Sequence, residues 1–484
     1  MTQSRIGLFL VLVCLGASAR AGAQEAPSEA AAPREVTSTS EATGSADTDA
    51  TSAPTPTAPT PSPDAEVPSA EAVAPAEVVP APAPTTPAPV PAPPAPEAPD
   101  DEVQITVAPG RGLTVTSGDT FSFQLRARMQ VRDTLHVPNS ADASRNTPSN
   151  ELQIRTIRLW LLGNVLDRNT RYGIQLALGP SDFEPNNASP IYDAYLESTH
   201  LRDLSVRVGQ FFVPFDRART IREFALQTVD RAGVVRELSL DRDIGVMLFS
   251  NDLFGWEGRL AYALGFFAGD GRNRLTTTAA PGFLFVGRVT VRPMGPFDDD
   301  VEGDLTRSTS PHLAIGFGIA YNQSTDRPRS TSSVSSSYQF YQLGGYDYFH
   351  MAADLVFKWA GFSFLGEWLW RTTNGVTERT GMPAGATMPI TEHSRQAWGL
   401  EAQAGMMLGD LVELYARYEQ MEAIGATDPT LLATVQTAGR ATASGVNVYV
   451  NGHSFKLQLD WQHTFGSDYT IGEHLFRLQL DATF

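Results

Sequence analysis

Arginines are concentrated in one stretch of this chain. The segment from Val206 to Asp243 starts as a strand-like sequence, is interrupted at Pro214, and then carries several arginines close together. They are Arg217, Arg219, Arg222, Arg231, Arg236 and Arg242. Guanidinium groups at this density could lower the barrier for anions in a narrow, partly desolvated passage, where charges interact more strongly than in bulk water. The plainer alternative is a solvated lining in which these arginines pair with Asp and Glu.

The sequence on both sides of this stretch alternates between apolar and polar residues. In residues 121–132 the odd positions are all apolar, and the even positions include Arg126, Arg128 and Arg132. A period of two predicts a β-strand with one apolar and one basic face. Arg207 lies in a further strand-like segment and completes the candidate wall arginines.

Sixteen such segments, each of about ten residues, can be counted between Phe121 and Phe484. Short turns and long loops alternate between them, as in outer-membrane β-barrels with a water-filled bore. The sequence therefore predicts an all-β, transmembrane antiparallel barrel of about sixteen strands. The arginine-rich stretch would fold inward as a constriction loop, and the short turns would lie at the periplasmic rim.

Two connections carry additional signals. Residues 220–230 have apolar side chains at helical spacing, and Thr220 with Glu223 matches a capping box. We expect one or two helical turns there, with the apolar side on the barrel wall and Arg219 and Arg222 facing the lumen. The connection 293–310, on the short-turn side, is unusually long and contains three consecutive aspartates. It would be either a cation site or a solvated acidic loop.

The start of the chain indicates export. Arg5, a short apolar stretch and Ala21-Gly22-Ala23 form the pattern of a cleaved signal peptide, assigned to residues 1–23. Residues 24–102 are mainly Pro, Ala, Thr, Ser and acids, which cannot bury enough apolar surface to fold. We expect this segment to be a disordered linker and residues 103–484 to form the barrel domain. The predicted location is the outer membrane of a Gram-negative bacterium.

Composition bears on the other function classes. The only cysteine, Cys14, lies in the predicted signal, so the mature chain would have no thiolate for metal binding or catalysis. The eight histidines show no metal-ligand spacing. An outer-membrane hydrolase would need a Ser/His or Asp/His site, but no nucleophile motif is present. We expect no enzyme activity, no cofactor and no nucleic-acid partner. A structural barrel anchoring the Pro-rich linker remains an alternative.

The sequence from Leu113 to Phe484 resembles the phosphate-selective porin O and P family. The similarity is carried above all by Arg207-Val-Gly-Gln-Phe-Phe-Val-Pro-Phe215, followed by Arg242-Asp-Ile-Gly-Val246. The resemblance implies a sixteen-stranded barrel, usually trimeric, whose third loop forms the constriction. It also implies passive diffusion of small hydrophilic solutes, with a modest preference for anions such as phosphate or polyphosphate. The ten arginines named above would line the pore and bind anions.

One feature departs from that family. Its phosphate specificity is associated with lysines at the constriction, whereas Lys358 and Lys456 are the only lysines here. Acids are also predicted to face inward, at Asp193, Glu197, Asp354, Glu367, Glu413, Glu419, Asp460 and Asp481. A non-selective porin, or one for sugars or carboxylates, therefore stays open. Expected partners are membrane lipid, small anionic or polar solutes, two further copies in a homotrimer, and the outer-membrane assembly machinery through Phe484.

Overall fold

The computed structural model describes residues 103–183, 189–273, 282–331 and 340–484. The predicted signal peptide and linker lie outside the described residues. The described residues all belong to one compact unit. None of the helices in these ranges is long and apolar enough to cross a membrane.

The described chain begins with a hairpin of two short strands and continues into a closed barrel. The hairpin strands are β1 (Val103–Ala108) and β2 (Gly112–Ser117). The first eleven barrel strands are β3 (Phe121–Asn139), β4 (Ser149–Val165), β5 (Thr170–Ala177), β6 (Ile191–Leu201), β7 (Leu204–Phe212), β8 (Arg242–Ser250), β9 (Leu260–Phe267), β10 (Leu284–Val291), β11 (His312–Thr325), β12 (Tyr346–Trp359) and β13 (Phe362–Thr373). After a separate small hairpin, β14 (Glu378–Gly381) and β15 (Ile390–His393), the barrel resumes with β16 (Ala397–Leu408), β17 (Val412–Ala423), β18 (Arg440–His453), β19 (Phe455–Phe465) and β20 (Gly472–Thr483).

Closure is made by the first and last barrel strands. β20 pairs antiparallel with β3, from Gly472 opposite Asn139 to Thr483 opposite Arg128. Every other barrel strand pairs with its neighbours along the chain, so the wall has sixteen antiparallel strands. The predicted fold class is therefore confirmed.

Side chains alternate across this wall as predicted. On β19, Leu457 and Leu459 are exposed on the outside, whereas Lys456, Gln458 and Asp460 are buried on the bore side. The predicted inward acids are likewise all buried on the bore side. An apolar exterior around a polar interior is the arrangement of a transmembrane barrel.

Residues 213–241, between β7 and β8, fold into the bore; we call them the inner loop. They contain the helices α1 (Arg217–Thr220) and α2 (Gly233–Leu238), with a 3-10 turn between them. One of the helical turns predicted for residues 220–230 is present as the 3-10 turn Glu223–Ala225. The predicted capping box does not form, because Thr220 ends α1 and its hydroxyl donates to the carbonyl of Asp216 at 2.9 Å. Asp216 is the cap of α1 and accepts a hydrogen bond from the backbone N–H of Arg219 at 3.3 Å. A third helix, α3 (Pro429–Ala438), lies in the loop between β17 and β18.

The helix α2 was not predicted, and it gives the bore an apolar core. Val234, Val235 and Leu238 belong to one buried cluster with Leu365 and Leu369 of β13. These two leucines occupy inward positions of the strand, where alternation alone would lead us to expect polar residues. The expectation of a bore filled by water is therefore wrong on this side of the barrel.

A second segment enters the bore from the short-turn rim. Residues 292–311, between β10 and β11, form this inner turn. Its Val301 packs on Ile221, Ala225 and Leu226 of the inner loop. The backbone N–H of Glu302 donates to the carbonyl of Ala225 at 3.2 Å. The apolar side of residues 220–230 therefore packs on the inner turn, which corrects the prediction that this side lies on the wall.

Candidate pore constriction

Arg217 joins the inner loop, the inner turn and the wall. Its guanidinium donates to Asp354 of β12 at 2.6 Å and to Asp299 of the inner turn at 2.8 Å. Burial alone would lower the pKa of Arg217, but Asp354 and Asp299 outweigh it and raise the pKa above its usual range. Arg217 is 3% exposed and pairs with two carboxylates. Its role is therefore to hold these three elements together.

Of the three consecutive aspartates of the inner turn, Asp298 and Asp300 are exposed and Asp299 is buried, so the predicted solvated loop holds for two of the three. Asp299 is 4% exposed and pairs with both Arg217 and Arg292. Burial would raise its pKa, but these two guanidiniums hold it below the usual range. The carbonyl of Asp298 accepts from Lys358 of β12 at 2.7 Å. Within the described ranges, no group of three or more His, Asp or Glu side chains is arranged to hold a metal ion.

Arg219 and Arg222 lie together at a second place. They line a small cavity of about 20 Å³ with Arg128, Arg231 and Arg242, and Arg217 is not part of that lining. Arg219 pairs with Asp241 at 2.6 Å, and Arg222 approaches Asp193 at 3.6 Å. The structure thus brings together Arg219 and Arg222, the two arginines predicted to face the lumen, and places Arg217 elsewhere.

Most of the wall arginines are also neutralised by carboxylates. Arg128 donates to Asp481 at 2.8 Å, Arg132 to Asp230 at 2.7 Å, Arg207 to Glu197 at 2.8 Å and Arg242 to Asp193 at 2.7 Å. Buried guanidinium–carboxylate bonds of this kind are charge-assisted and fix both side chains. Because of these pairs, the wall arginines do not form a continuous basic track.

Arg126 has a different environment. Its guanidinium carbon lies 5.7 Å from the ring centre of Trp160 and 5.8 Å from that of Phe224. Within the part of the chain that the structure describes, its Nε has no hydrogen-bond partner. Aromatic faces stabilise the cation without cancelling its charge, so Arg126 keeps a positive field at the bore surface.

Arg236, on the exposed side of α2, borders two larger cavities. Each has a volume of about 130 Å³, enough for about four water molecules. The first cavity is also lined by Arg329, Arg440, Glu237 and Glu419. The second is lined by Arg132, Arg155, Arg219, Arg231, Glu223 and Asp230. Among the described residues, Arg236 has no ion pair within 4.0 Å.

The second cavity, which we call the basic cavity, has a net positive lining. Arginine supplies five of its side chains and acids two. Burial and the neighbouring Arg219 lower the pKa of Arg231 to about 10, so Arg231 stays charged at neutral pH. Burial would raise the pKa of Asp230, but Arg132, Arg155 and Arg477 hold it well below its usual range. The acids are therefore ionised as well, and the arginines outnumber them.

The sequence analysis missed two bore arginines, Arg155 and Arg158. Arg158 pairs with Asp182, and Arg155 borders the basic cavity. One is at an odd and the other at an even position, so a strict period of two cannot place both on one face. The register between β3 and β4 shifts between Gln130 and Val131 at a bulge, which turns Arg155 inward. The sequence signal that could have indicated the bulge is the spacing of Arg155 and Arg158, which lie three residues apart within one strand.

Comparisons with known proteins do not identify a family for this chain. No protein-family model matches the chain, and no curated protein matches it. Solved structures similar to it include the outer membrane channel DcaP of Acinetobacter baumannii, with 12% identity, a TM-score of 0.46, and coverage of 75% of this chain and 98% of that one. OmpF of Salmonella typhi gives 10% identity, a TM-score of 0.48 and coverage of 79% and 100%. An anion-selective porin from Comamonas acidovorans has 11% identity and a TM-score of 0.46, and the match covers 75% of this chain and 100% of that one.

The DcaP structure is an outer membrane channel and the Comamonas structure an anion-selective porin, but the similarity is too low to carry any function or residue role across to this chain. The resemblance to the phosphate-selective porins accordingly stays a hypothesis.

Proposed function

We propose that the protein is an outer-membrane porin through which small hydrophilic solutes diffuse passively, with a modest preference for anions. The observation that supports this most directly is the basic cavity, which lies inside a barrel with an apolar exterior. In such a confined space little electrolyte intervenes to screen the arginines. A divalent oxyanion gains about twice the Coulomb energy of chloride from the same charges. We therefore expect weak block by phosphate or pyrophosphate rather than a tight site.

Replacing Arg236 by glutamine tests the anion preference. Arg236 borders both larger cavities on an exposed side chain, so its loss should remove positive charge from the path without unfolding the loop. In a planar bilayer with a salt gradient, the zero-current potential should move toward cation selectivity, and phosphate block should weaken.

The matched control is Arg168→Gln, which removes the same charge from a residue 74% exposed on its side chain and paired with Asp119. This variant should behave as the unmodified protein does. An unmodified protein that is already cation-selective would contradict the anion preference. A potential unchanged by Arg236→Gln would contradict the role of the basic cavity.

One observation favours a second candidate, a structural barrel without an open bore. The inner loop and the inner turn meet inside the barrel and bury most of its lining. An anchor for the predicted linker, residues 24–102, needs no conduction. Absence of any single-channel conductance in correctly folded protein would favour the anchor over the porin.

We expect assembly of the barrel, as a homotrimer, to depend on Phe484. The backbone N–H of Phe484 donates to the carbonyl of Ala127 at 2.8 Å, and the N–H of Ala127 donates back at 2.7 Å. The ring is exposed on the outer surface, where the assembly machinery could bind it. Removing Phe484 should lower the amount of heat-modifiable barrel in the outer membrane, while export to the periplasm stays unchanged. Phe484→Tyr, which keeps the backbone bonds and an aromatic ring, should insert normally. Equal insertion of the truncated chain would refute this role.

A further inference from the structure

The β1–β2 hairpin stands outside the sixteen-stranded wall, and the sequence analysis did not predict it. β2 pairs with the first residues of β3, from Ser117 opposite Phe121 to Leu113 opposite Leu125. β20 and the following Phe484 pair with β3 only from Ala127 onward. The hairpin thus occupies the edge of β3 that β20 leaves free at the short-turn rim.

Close packing fixes the position of this hairpin. A Cβ on Gly110, in the turn between β1 and β2, would lie 1.8 Å from the hydroxyl oxygen of Ser454 in the turn between β18 and β19. Gly110 also has a positive φ of 74°. The side-chain amide of Gln124 donates to the carbonyl of Arg111 at 2.9 Å. The hairpin is therefore held against the rim and is not a free extension.

One face of the hairpin is apolar and uncovered. Val103, Ile105 and Val107 of β1 are 57%, 68% and 77% exposed. Gln104 and Thr106 alternate with them, so the polar residues of this strand point to the opposite face. Three β-branched side chains in a row are thus open to whatever surrounds the rim.

The register makes this face continuous with the outer surface of the barrel. Ile105 pairs with Val115, which pairs in turn with Phe123 of β3. Phe123 lies on the same face of β3 as Phe121 and Leu125, both exposed on the outside of the wall. The apolar exterior therefore extends across β2 onto β1 without a break.

The open edge of β1 limits what can cover this face. Among the described strands, β1 pairs only with β2, so its other edge has free backbone N–H and C=O groups. Open sheet edges do not occur within the hydrocarbon core, but the headgroup region supplies water and polar partners. A second copy of the chain is the less favoured occupant, because a stable interface needs about 800 Å² per partner. Three Val and Ile side chains expose far less.

We infer that the β1–β2 hairpin lies on the membrane at the periplasmic rim, with Val103, Ile105 and Val107 in the headgroup boundary of the inner leaflet. The hairpin extends the lipid-facing wall by two strands at one point of the circumference. This inference requires that the barrel spans a membrane, as the proposed function does, but it does not require conduction.

Fluorescent labels on single cysteines test this placement. Cys14, the only natural cysteine, is replaced by serine in the full chain, and Ile105→Cys and Thr106→Cys are labelled separately with an environment-sensitive dye. In phosphatidylethanolamine–phosphatidylglycerol vesicles, the label at 105 should be quenched by lipids with a nitroxide near the headgroup and protected from aqueous iodide. The label at 106, on the other face of the same strand, should show the reverse. Leu459→Cys, on the outer wall, reports whether the barrel is inserted, with nitroxides placed deep in the acyl chains.

The measurements distinguish lipid, water and a second protein chain as the surroundings of the apolar face of β1. Equal iodide quenching at 105 and 106 would overturn the inference, because the face would then lie in water. Protection at 105 from both iodide and nitroxide lipid would also overturn it and would indicate a second protein chain. Loss of lipid quenching at 459 would overturn the membrane placement itself, on which the proposed function also depends.

Discussion

Replacing Glu237 by glutamine should release the inner loop from the wall and increase the conductance of the channel. Glu237, at the end of α2, accepts from Arg371 at 2.9 Å and from Arg395 at 2.9 and 3.0 Å. All three side chains are buried. Removing one partner of a buried ion pair costs about 3–5 kcal/mol, because the remaining charges lose their compensation. Here the guanidiniums of Arg371, on β13, and Arg395, just before β16, would be left together, with Asp428 still paired to Arg395 at 2.8 Å.

The barrel itself should survive this substitution, since its strand pairing does not involve Glu237. We expect a heat-modifiable band of normal mobility, together with larger and noisier single-channel currents. Glu473→Gln is the matched control. Glu473 is a half-exposed carboxylate that pairs with His136 at 2.9 Å, and exposed pairs contribute only about 0–1 kcal/mol. Unchanged currents in Glu237→Gln would show that the apolar packing of α2 holds the loop without the ion pairs.

Shortening the inner turn should open the bore from the other end. Replacing residues 297–305 by a short Gly-Ser linker removes the contact of Val301 with the inner loop. It also breaks the ion pair between Asp299 and Arg217. The hydrogen bond of 2.6 Å that the backbone N–H of Gln227 donates to the Glu302 carboxylate is lost as well. Single-channel conductance should rise severalfold. Because Arg217 would lose one of its two carboxylates, the zero-current potential should also move toward anions.

A matched deletion tests whether shortening any other loop would change the conductance in the same way. The β14–β15 hairpin lies in a long-loop connection and forms a two-stranded sheet apart from the wall. Its tip is residues 382–389. Shortening it should leave conductance and selectivity unchanged. A shortened inner turn that gives a folded barrel with the original conductance would show that the solute path runs elsewhere.

The wall was predictable because closure imposes a rule at every residue of a strand. Each side chain faces either lipid or the bore, so the period of two in a segment such as 121–132 fixes both the strand and its faces. The inward orientation of Asp354 and Glu413 followed in the same way. The rule did not predict that Arg155 faces the bore, because a bulge shifts the register of β4 against β3.

The interior was not predictable, because its contacts join residues that are distant in the chain. Arg132 and its partner Asp230 are 98 residues apart, and Gln227 and Glu413 are 186 residues apart. No local pattern encodes which acid meets which arginine. The sequence therefore identified a basic loop, but it could not show that most of its charge is used in ion pairs. Nor could it show that the inner turn bends into the bore, since loop direction depends on the partner it finds there.

The seam between β3 and β20 also has a consequence for biogenesis. Arg128 and Asp481, which bond across it, are 353 residues apart in the chain. During export β3 emerges first and stays without this neighbour until the final strand has followed. Unpaired strand edges are sites of aggregation, so on the proposed route to the outer membrane we expect the chain to need holding chaperones in the periplasm. A product truncated before β20 would keep two open edges, and we expect it to be degraded rather than to accumulate. The β1–β2 hairpin covers only the first residues of β3, so it cannot replace the missing strand.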